Sequence, residues 1–172
     1  MDIDLSDELY AKRYARLDHA DFDAIVTGEL THYAIWLEDV LIEVISDYFA
    51  RPSRKLQFKK LLLRRDGLTF QDKIEIVRAM LPEFKNSAVA QELKQLLTKV
   101  ENFKSSRNAF AHGHDITPTG TNDSRIHVEI VNRAGKEKIV VVTPESHSKA
   151  LRELEQLLKS LESVKKRLHA SG

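Results

Sequence analysis

Three neighbouring side chains could act on an anionic ligand: Arg107, Asn108 and His112. Arginine keeps its positive charge at every accessible pH, asparagine both donates and accepts hydrogen bonds, and histidine exchanges a proton near neutral pH. A guanidinium must pair with a carboxylate, extend to solvent or bind an anion. The set therefore provides a permanent cation, an amide and an acid–base group.

These side chains fall on the last turns of a predicted helix. The pattern predicts a helix from Asn86 or Ser87 to about His112, ended by Gly113 in the left-handed conformation. Arg107 lies at the angle of the apolar stripe, while Asn108 and His112 share one flank four residues apart. The stripe consists of Val89, Leu93, Leu96, Leu97, Val100 and Phe103.

A purely structural role would also explain these residues. An arginine at a helix end can extend to solvent or pair with an acid, and we consider Glu43 and Asp47 on the preceding long helix as partners. A histidine in the last turn is favoured by the helix dipole. Helix geometry alone leaves both interpretations open.

The local sequence resembles the Arg-x4-6-His motif of the HEPN (higher eukaryotes and prokaryotes nucleotide-binding) family. The matching string is Ser106-Arg107-Asn108-Ala109-Phe110-Ala111-His112-Gly113. In that family the residue after the arginine is commonly Asn, Asp or His, and the motif lies at the C-terminal end of a long bundle helix. The motif covers eight residues, and the similarity in architecture covers roughly residues 20–168.

The resemblance implies metal-independent RNA cleavage, without a cofactor, by a homodimer whose two motifs face each other. It implies that His112 is the general acid/base, that Arg107 stabilises the phosphate in the transition state, and that Asn108 orients the 2′-hydroxyl or the imidazole. One such histidine per chain is too few for two-histidine catalysis, and a two-fold interface would supply the second. His114 stands where some family toxins carry a modified tyrosine, which argues against that subtype.

Two functions of different classes follow from the resemblance. The first is an endoribonuclease, in a toxin–antitoxin or defence setting, with an antitoxin or regulatory protein as a further partner. The alternative is a non-catalytic HEPN-like bundle that serves as a regulatory, interaction or RNA-binding subunit, because fold does not determine function.

Charge is distributed unevenly along this chain of net charge +1. Residues 1–50 carry twelve acidic and three basic side chains, whereas residues 51–65 carry seven basic and no acidic ones. The basic segment could meet RNA, with Arg51, Arg54 and Lys55 as contacts, and Lys104 could add phosphate attraction near the motif. It could equally neutralise the acidic helix, within the bundle or across a dimer.

The remaining pattern predicts a mainly α fold: an up-and-down helical bundle with a small β-hairpin inserted before the last helix. Helices are expected at about 6–17, 21–49, 53–64, 69–81 and 143–168, with Thr69 and Thr143 as caps. Residues 114–124 have the composition of a loop, and the hairpin pairs 125–131 with 138–142. We predict one domain over residues 1–172, with an N-terminal extension at 1–20 and the hairpin insert at 125–142.

Several classes of protein are disfavoured by composition. The chain has no cysteine, no apolar run of membrane-spanning length and an acidic start, so we expect a cytoplasmic protein that contacts no membrane. We predict no metal site, since the spacing of His112, His114 and His127 matches no established pattern of metal ligands. Trp36 is expected in the core, and the other histidines on the surface, namely His19, His32, His147 and His169.

Overall fold

The computed structural model describes residues 12–118, 120, 124–131 and 134–170. The fold is mainly helical, with a small antiparallel sheet before the last helix, as predicted. We number the principal elements α1 His19–Phe49, α2 Lys55–Phe58, α3 Phe70–Met80, α4 Ser87–His112, β1 His114–Asp115, β2 Ile126–Val131, β3 Glu137–Val142 and α5 Pro144–Ala170. None of the helices in this described part has the length and apolar character needed to cross a bilayer.

The chain divides into two compact units, and three long helices pass from one to the other. The sheet unit comprises Met1–His32 and Ser105–Glu155, and the helical unit comprises Tyr33–Lys104 and Gln156–Gly172. The boundaries therefore fall inside α1, α4 and α5.

The sheet unit is built around the order β1-β2-β3. Ile126 pairs with Val142 and Val128 with Val140, while His114 of β1 pairs with Glu129. Alternate residues of β2 face the core, because successive strand side chains point to opposite faces. That core consists of Tyr14, Phe22, Val26, Ile126 and Val128.

The helical unit buries the apolar stripes of its helices. Pro52–Arg54 is a 3-10 turn, and Lys59–Leu63 continues α2 as a π-helical turn, so the predicted basic helix is present with mixed geometry. Lys73 is almost fully buried, where its ammonium group pairs with Glu38 and donates to the carbonyl of Leu68 at 3.0 Å. The most buried side chains of this unit include Leu37, Leu41, Ile45, Ile74, Val77, Leu93, Leu97, Val100, Leu161 and Val164.

Most predicted helix limits are confirmed by their caps. Thr69 and Asp72 form a reciprocal capping box at α3. Asn86 accepts from the Val89 amide at 3.1 Å before α4, and Thr143 accepts from the Ser146 amide at 3.2 Å before α5. The predicted helix at 6–17 begins outside the described residues and is helical only at 12–14 within them.

Four predictions were wrong. His114 and Asp115, expected in a loop, form β1 because their backbone pairs with β2. Gly113 does not have a positive φ; φ is positive only at Gly67, Gly120 and Gly135 among the described residues. Trp36, expected in the core, is 48% exposed. His147, expected on the surface, is 2% exposed because it packs inside the sheet unit.

Candidate functional site

The motif residues lie where α4 meets the sheet. Helix α4 ends at His112, as predicted, and Gly113 follows it directly. A Cβ atom at Gly113 would lie 2.1 Å from Cγ1 of Val128 and 3.1 Å from the carbonyl oxygen of Glu129. Glycine is therefore required here by the close approach of β2, and not by a left-handed turn.

Arg107 is half-buried, and among the residues that the structure describes its hydrogen bonds go to neutral acceptors. Its Nη1 atom donates to Oδ1 of Asn108 at 3.1 Å, and its Nη2 atom donates to Oγ1 of Thr31 at 3.4 Å. No carboxylate in the described part of the chain pairs with this guanidinium. The cation keeps its charge available for an anionic ligand.

The acids considered as structural partners of Arg107 contact lysines of the basic segment instead. Glu43 lies 2.9 Å from Nζ of Lys55 and also pairs with Lys59, and Asp47 pairs with Lys55. Burial by itself raises the pKa of Glu43. The hydrogen bonds and positive charges of Lys55 and Lys59 lower it by more, so the pKa of Glu43 is lowered overall.

His112 is exposed in the last turn of α4, and no hydrogen bond fixes its imidazole among the described residues. Asn108 lies one turn earlier and is half-buried. Because residues four apart share a helix face, the amide and the imidazole can reach one ligand. The described chain thus leaves this histidine open to solvent.

Thr31 is a site residue that the sequence did not reveal. It lies on α1, 76 positions before Arg107, and nothing in its local pattern distinguishes it from Thr27 one turn earlier. Only the packing of α1 against the end of α4 within the sheet unit brings its hydroxyl to the guanidinium.

The predicted RNA contacts occupy different environments within the helical unit. Arg51 and Arg54 are exposed and have no carboxylate partner among the described residues. Lys55 is held by Glu43 and Asp47, so it neutralises α1, as the structural alternative expected. Lys104 donates to Oε1 of Gln71, which lies on α3.

A second polar cluster, not anticipated from the sequence, lies in the sheet unit. The Glu29 carboxylate accepts from the Tyr14 hydroxyl at 2.9 Å and lies 2.6 Å from Nε2 of His147. The rings of Tyr14 and His147 contact edge to face, with centroids 5.4 Å apart. Because Tyr14 and His147 are buried and both are hydrogen-bonded to the partly exposed Glu29 carboxylate, this cluster is a structural connection between α1, α5 and the residues before α1.

An ion pair ties the start of α1 to β1. Nε2 of His19 lies 2.8 Å from Oδ2 of Asp115, and its Nδ1 lies 3.0 Å from the carbonyl oxygen of Arg125. Burial lowers the pKa of His19, but the hydrogen bonds to Asp115 and Arg125 and the charge of Asp115 raise it overall. Burial raises the pKa of Asp115, yet hydrogen bonds from Thr117 and His19 lower it to about 2.

Among the described residues, no group of three or more His, Cys, Asp or Glu side chains is placed to hold a metal ion. A comparison of the chain with protein-family models, with curated proteins and with solved structures found no significant match.

Proposed function

We propose that this chain is a HEPN-type, metal-independent endoribonuclease that acts as a homodimer. The single observation that carries the proposal is Arg107, a half-buried cation held by two neutral acceptors and without a carboxylate partner in the described chain. Keeping such a charge without a counter-ion costs free energy, and a phosphate that bound beside it would remove that cost.

The side chains supply the groups that RNA cleavage needs. His112 of one copy would take the proton of the 2′-hydroxyl as its oxygen attacks the phosphorus. The bond from phosphorus to the 5′-oxygen then breaks, and His112 of the other copy would donate a proton to that oxygen. The products would be a 2′,3′-cyclic phosphate and a 5′-hydroxyl, and Arg107 would stabilise the negative charge of the transition state.

Asn108 can take part in this reaction because its side-chain oxygen accepts a hydrogen bond from Arg107. Its amide NH2 group is then turned to other acceptors, which include the 2′-oxygen of the substrate. Arg51 and Arg54 are the predicted RNA contacts with exposed charge, whereas Lys55 and Lys104 already have partners. The proposal includes a cytoplasmic location, where cellular RNA is available, and a toxin or defence role restrained by an antitoxin or regulatory protein.

The test is cleavage of single-stranded RNA in the presence of EDTA. We expect His112→Ala to abolish cleavage and Arg107→Ala to reduce it by a factor on the order of a hundred or more, as for loss of a transition-state charge contact. His114→Ala is the matched control, since that histidine is also exposed and lies two residues away. Thermal unfolding must show that all variants stay folded.

A second candidate function is a non-catalytic HEPN-like subunit. It is favoured by the His112 imidazole, which no hydrogen bond orients among the described residues. Under this function the wild type cuts no RNA in a broad panel, and Arg107→Ala weakens ligand or partner binding instead. Full cleavage by His112→Ala would discard the ribonuclease mechanism.

A further inference from the structure

Three aromatic rings lie together at the C-terminal end of α1. Tyr48 and Phe49 are the last two residues of that helix, and their ring centroids are 4.8 Å apart. The ring of Tyr48 also contacts Phe84, which follows the 3-10 turn Leu81–Glu83, with centroids 5.8 Å apart. All three residues belong to the helical unit, so these contacts place them on one surface, which we call the aromatic patch.

The aromatic patch is open to solvent. Phe49 is 57% exposed and Tyr48 is 43% exposed, while Phe84 is half-buried. The two ring contacts are edge to face, with interplanar angles of 76° and 85°, and such a contact covers less of a ring face than a parallel stack does. More than half of Phe49 thus stays accessible to a planar ligand that stacks on it.

Two cations from different segments flank the aromatic patch. Arg51 is two residues after Phe49, a separation that the chain spans in at most about 7 Å, and Lys85 directly follows Phe84. Both cations are exposed, and neither pairs with a carboxylate among the described residues. They outnumber Glu83, the exposed acid next to Phe84. The surface therefore combines accessible rings with positive charge.

We propose that the aromatic patch is a base-stacking subsite for single-stranded RNA. The rings would take one or two bases, and Arg51 and Lys85 would hold the neighbouring phosphates, as in proteins that bind single strands by stacking and charge. This inference rests on the proposed function for the identity of its ligand. It adds the three rings and Lys85 to the arginine contact named there, and it gives the patch no part in the chemistry.

The charges favour single-stranded RNA over other ligands of an exposed aromatic surface. A two-fold contact with a second copy would set Arg51 and Lys85 against the same cations of the partner chain. An apolar protein segment would cover the rings and desolvate the cations without supplying a counter-charge. A duplex keeps its bases stacked inside the helix. A single strand supplies accessible base faces and negative charges in one chain.

The test uses a short oligouridylate that carries one 2-aminopurine and 2′-O-methyl groups throughout, so that it binds but cannot be cleaved. Stacking on a ring quenches the fluorescence of 2-aminopurine, and the anisotropy of a terminal dye measures affinity. Phe49→Leu keeps an apolar side chain but removes the ring, whereas Phe49→Tyr keeps the ring. Trp36→Leu is the matched control, since Trp36 is an aromatic residue of the same helix and is 48% exposed.

We expect Phe49→Leu to remove most of the quenching and to weaken binding by about fivefold or more. Phe49→Tyr and Trp36→Leu should bind and quench as the wild type does. Lys85→Gln should lower the slope of log affinity against log salt by about 0.7, as for one phosphate contact on a single strand. Glu83→Gln should strengthen binding, because it removes the acid beside the rings. Thermal unfolding checks that each variant is folded.

Unchanged quenching in Phe49→Leu, or no binding of the oligonucleotide by the wild type, would overturn the proposal. So would self-association that Phe49→Leu abolishes, because the rings would then belong to a contact between copies. Cleavage of unmodified RNA is measured separately. Cleavage together with binding that does not depend on Phe49 would refute the stacking subsite and keep the ribonuclease. Binding with quenching but without cleavage would refute the ribonuclease and keep the subsite.

Discussion

At the scale of single residues, Arg107 stands out among the described residues as a half-buried cation without a carboxylate partner. Its guanidinium donates to an amide oxygen and a hydroxyl oxygen, both neutral. By contrast, cations of the helical unit such as Lys55 pair with carboxylates such as Glu43. A neutral acceptor orients a cation without neutralising its charge. The two contacts therefore suit a guanidinium that is positioned for a ligand.

Thr31 should matter to activity through Arg107. We expect Thr31→Val to lower kcat for RNA cleavage by about fivefold, which corresponds to one hydrogen bond of about 1 kcal/mol. The change in KM should be smaller, since the hydroxyl positions the arginine and does not contact the substrate. Steady-state kinetics on a single-stranded RNA would measure both constants.

Two further variants separate this role from a general effect on α1. Thr31→Ser keeps the hydroxyl and should restore most of the activity. Thr27→Val makes the same exchange one turn earlier at an exposed position and should leave kcat unchanged. Equal loss in all three variants would contradict a positioning role for Thr31.

Gly113 is the second residue at which a substitution should have a definite effect, here on stability. A methyl group there would overlap Val128, a stiff β-branched side chain in the core, and approach the backbone at Ala109 and Glu129. We expect Gly113→Ala to lower the free energy of unfolding by about 1–3 kcal/mol. Urea unfolding would measure it.

Gly28 provides the comparison, because it lies inside α1 and a Cβ atom there would have no atom within 4 Å. Gly28→Ala should raise the free energy of unfolding by about 0.4–1 kcal/mol. Adding Val128→Ala to Gly113→Ala should cost less than the sum of the two single changes. Strict additivity would refute the steric explanation.

At the scale of elements, the contact between α1 and β1 through His19 and Asp115 should make stability depend on pH. The pKa of His19 is raised in the folded state, so its contribution is complete below the unfolded value of 6.5 and is lost as pH rises through the folded value. The pKa of Asp115 is lowered from 3.8 to about 2, so its contribution is complete above 3.8 and is lost on acidification towards 2. The ion pair is therefore strongest between these limits.

We expect His19→Ala to cost about 0.5 kcal/mol more free energy of unfolding at about pH 5.5 than at about pH 8.5, as for a partly exposed ion pair. Asp23 also faces this pair, and burial followed by the charge of Asp115 raises its pKa. Urea unfolding at the two pH values would measure the difference. A cost for His19→Ala that is equal at both pH values would count against the ion pair.

At the scale of the whole molecule, the proposed chemistry requires two chains. Each chain has one motif histidine, whereas the reaction needs a proton acceptor and a donor. If His112→Ala chains exchange with wild-type chains, mixed dimers lose one of the two groups. The dimer can therefore be tested without a structure of the complex.

We expect a fixed amount of wild type to keep about half of its activity after equilibration with an equal amount of His112→Ala, because random pairing leaves half of the wild-type chains in intact dimers. An excess of the variant should lower the activity further. Added serum albumin is the control for protein concentration. Undiminished cleavage at every ratio would mean that each chain acts alone.

The sequence by itself determined the helical elements, their caps and the position of the motif. Apolar spacing depends only on local periodicity, which is why α1, α4, α5 and the hairpin were predicted nearly at their limits. Caps such as Thr69 and Thr143 act within three residues, so they too can be recognised locally. The residue types and the spacing of Arg107, Asn108 and His112 are likewise properties of the sequence.

Tertiary structure alone decided which side chains meet. Thr31 reaches Arg107 across 76 residues, β1 forms because β2 pairs with it, and His147 is buried by Tyr14 and Phe22. The same holds for Gly113, whose role comes from a strand that packs against it and not from its own φ. These features arise from contacts between segments far apart in sequence, and such contacts leave no periodic pattern in either segment.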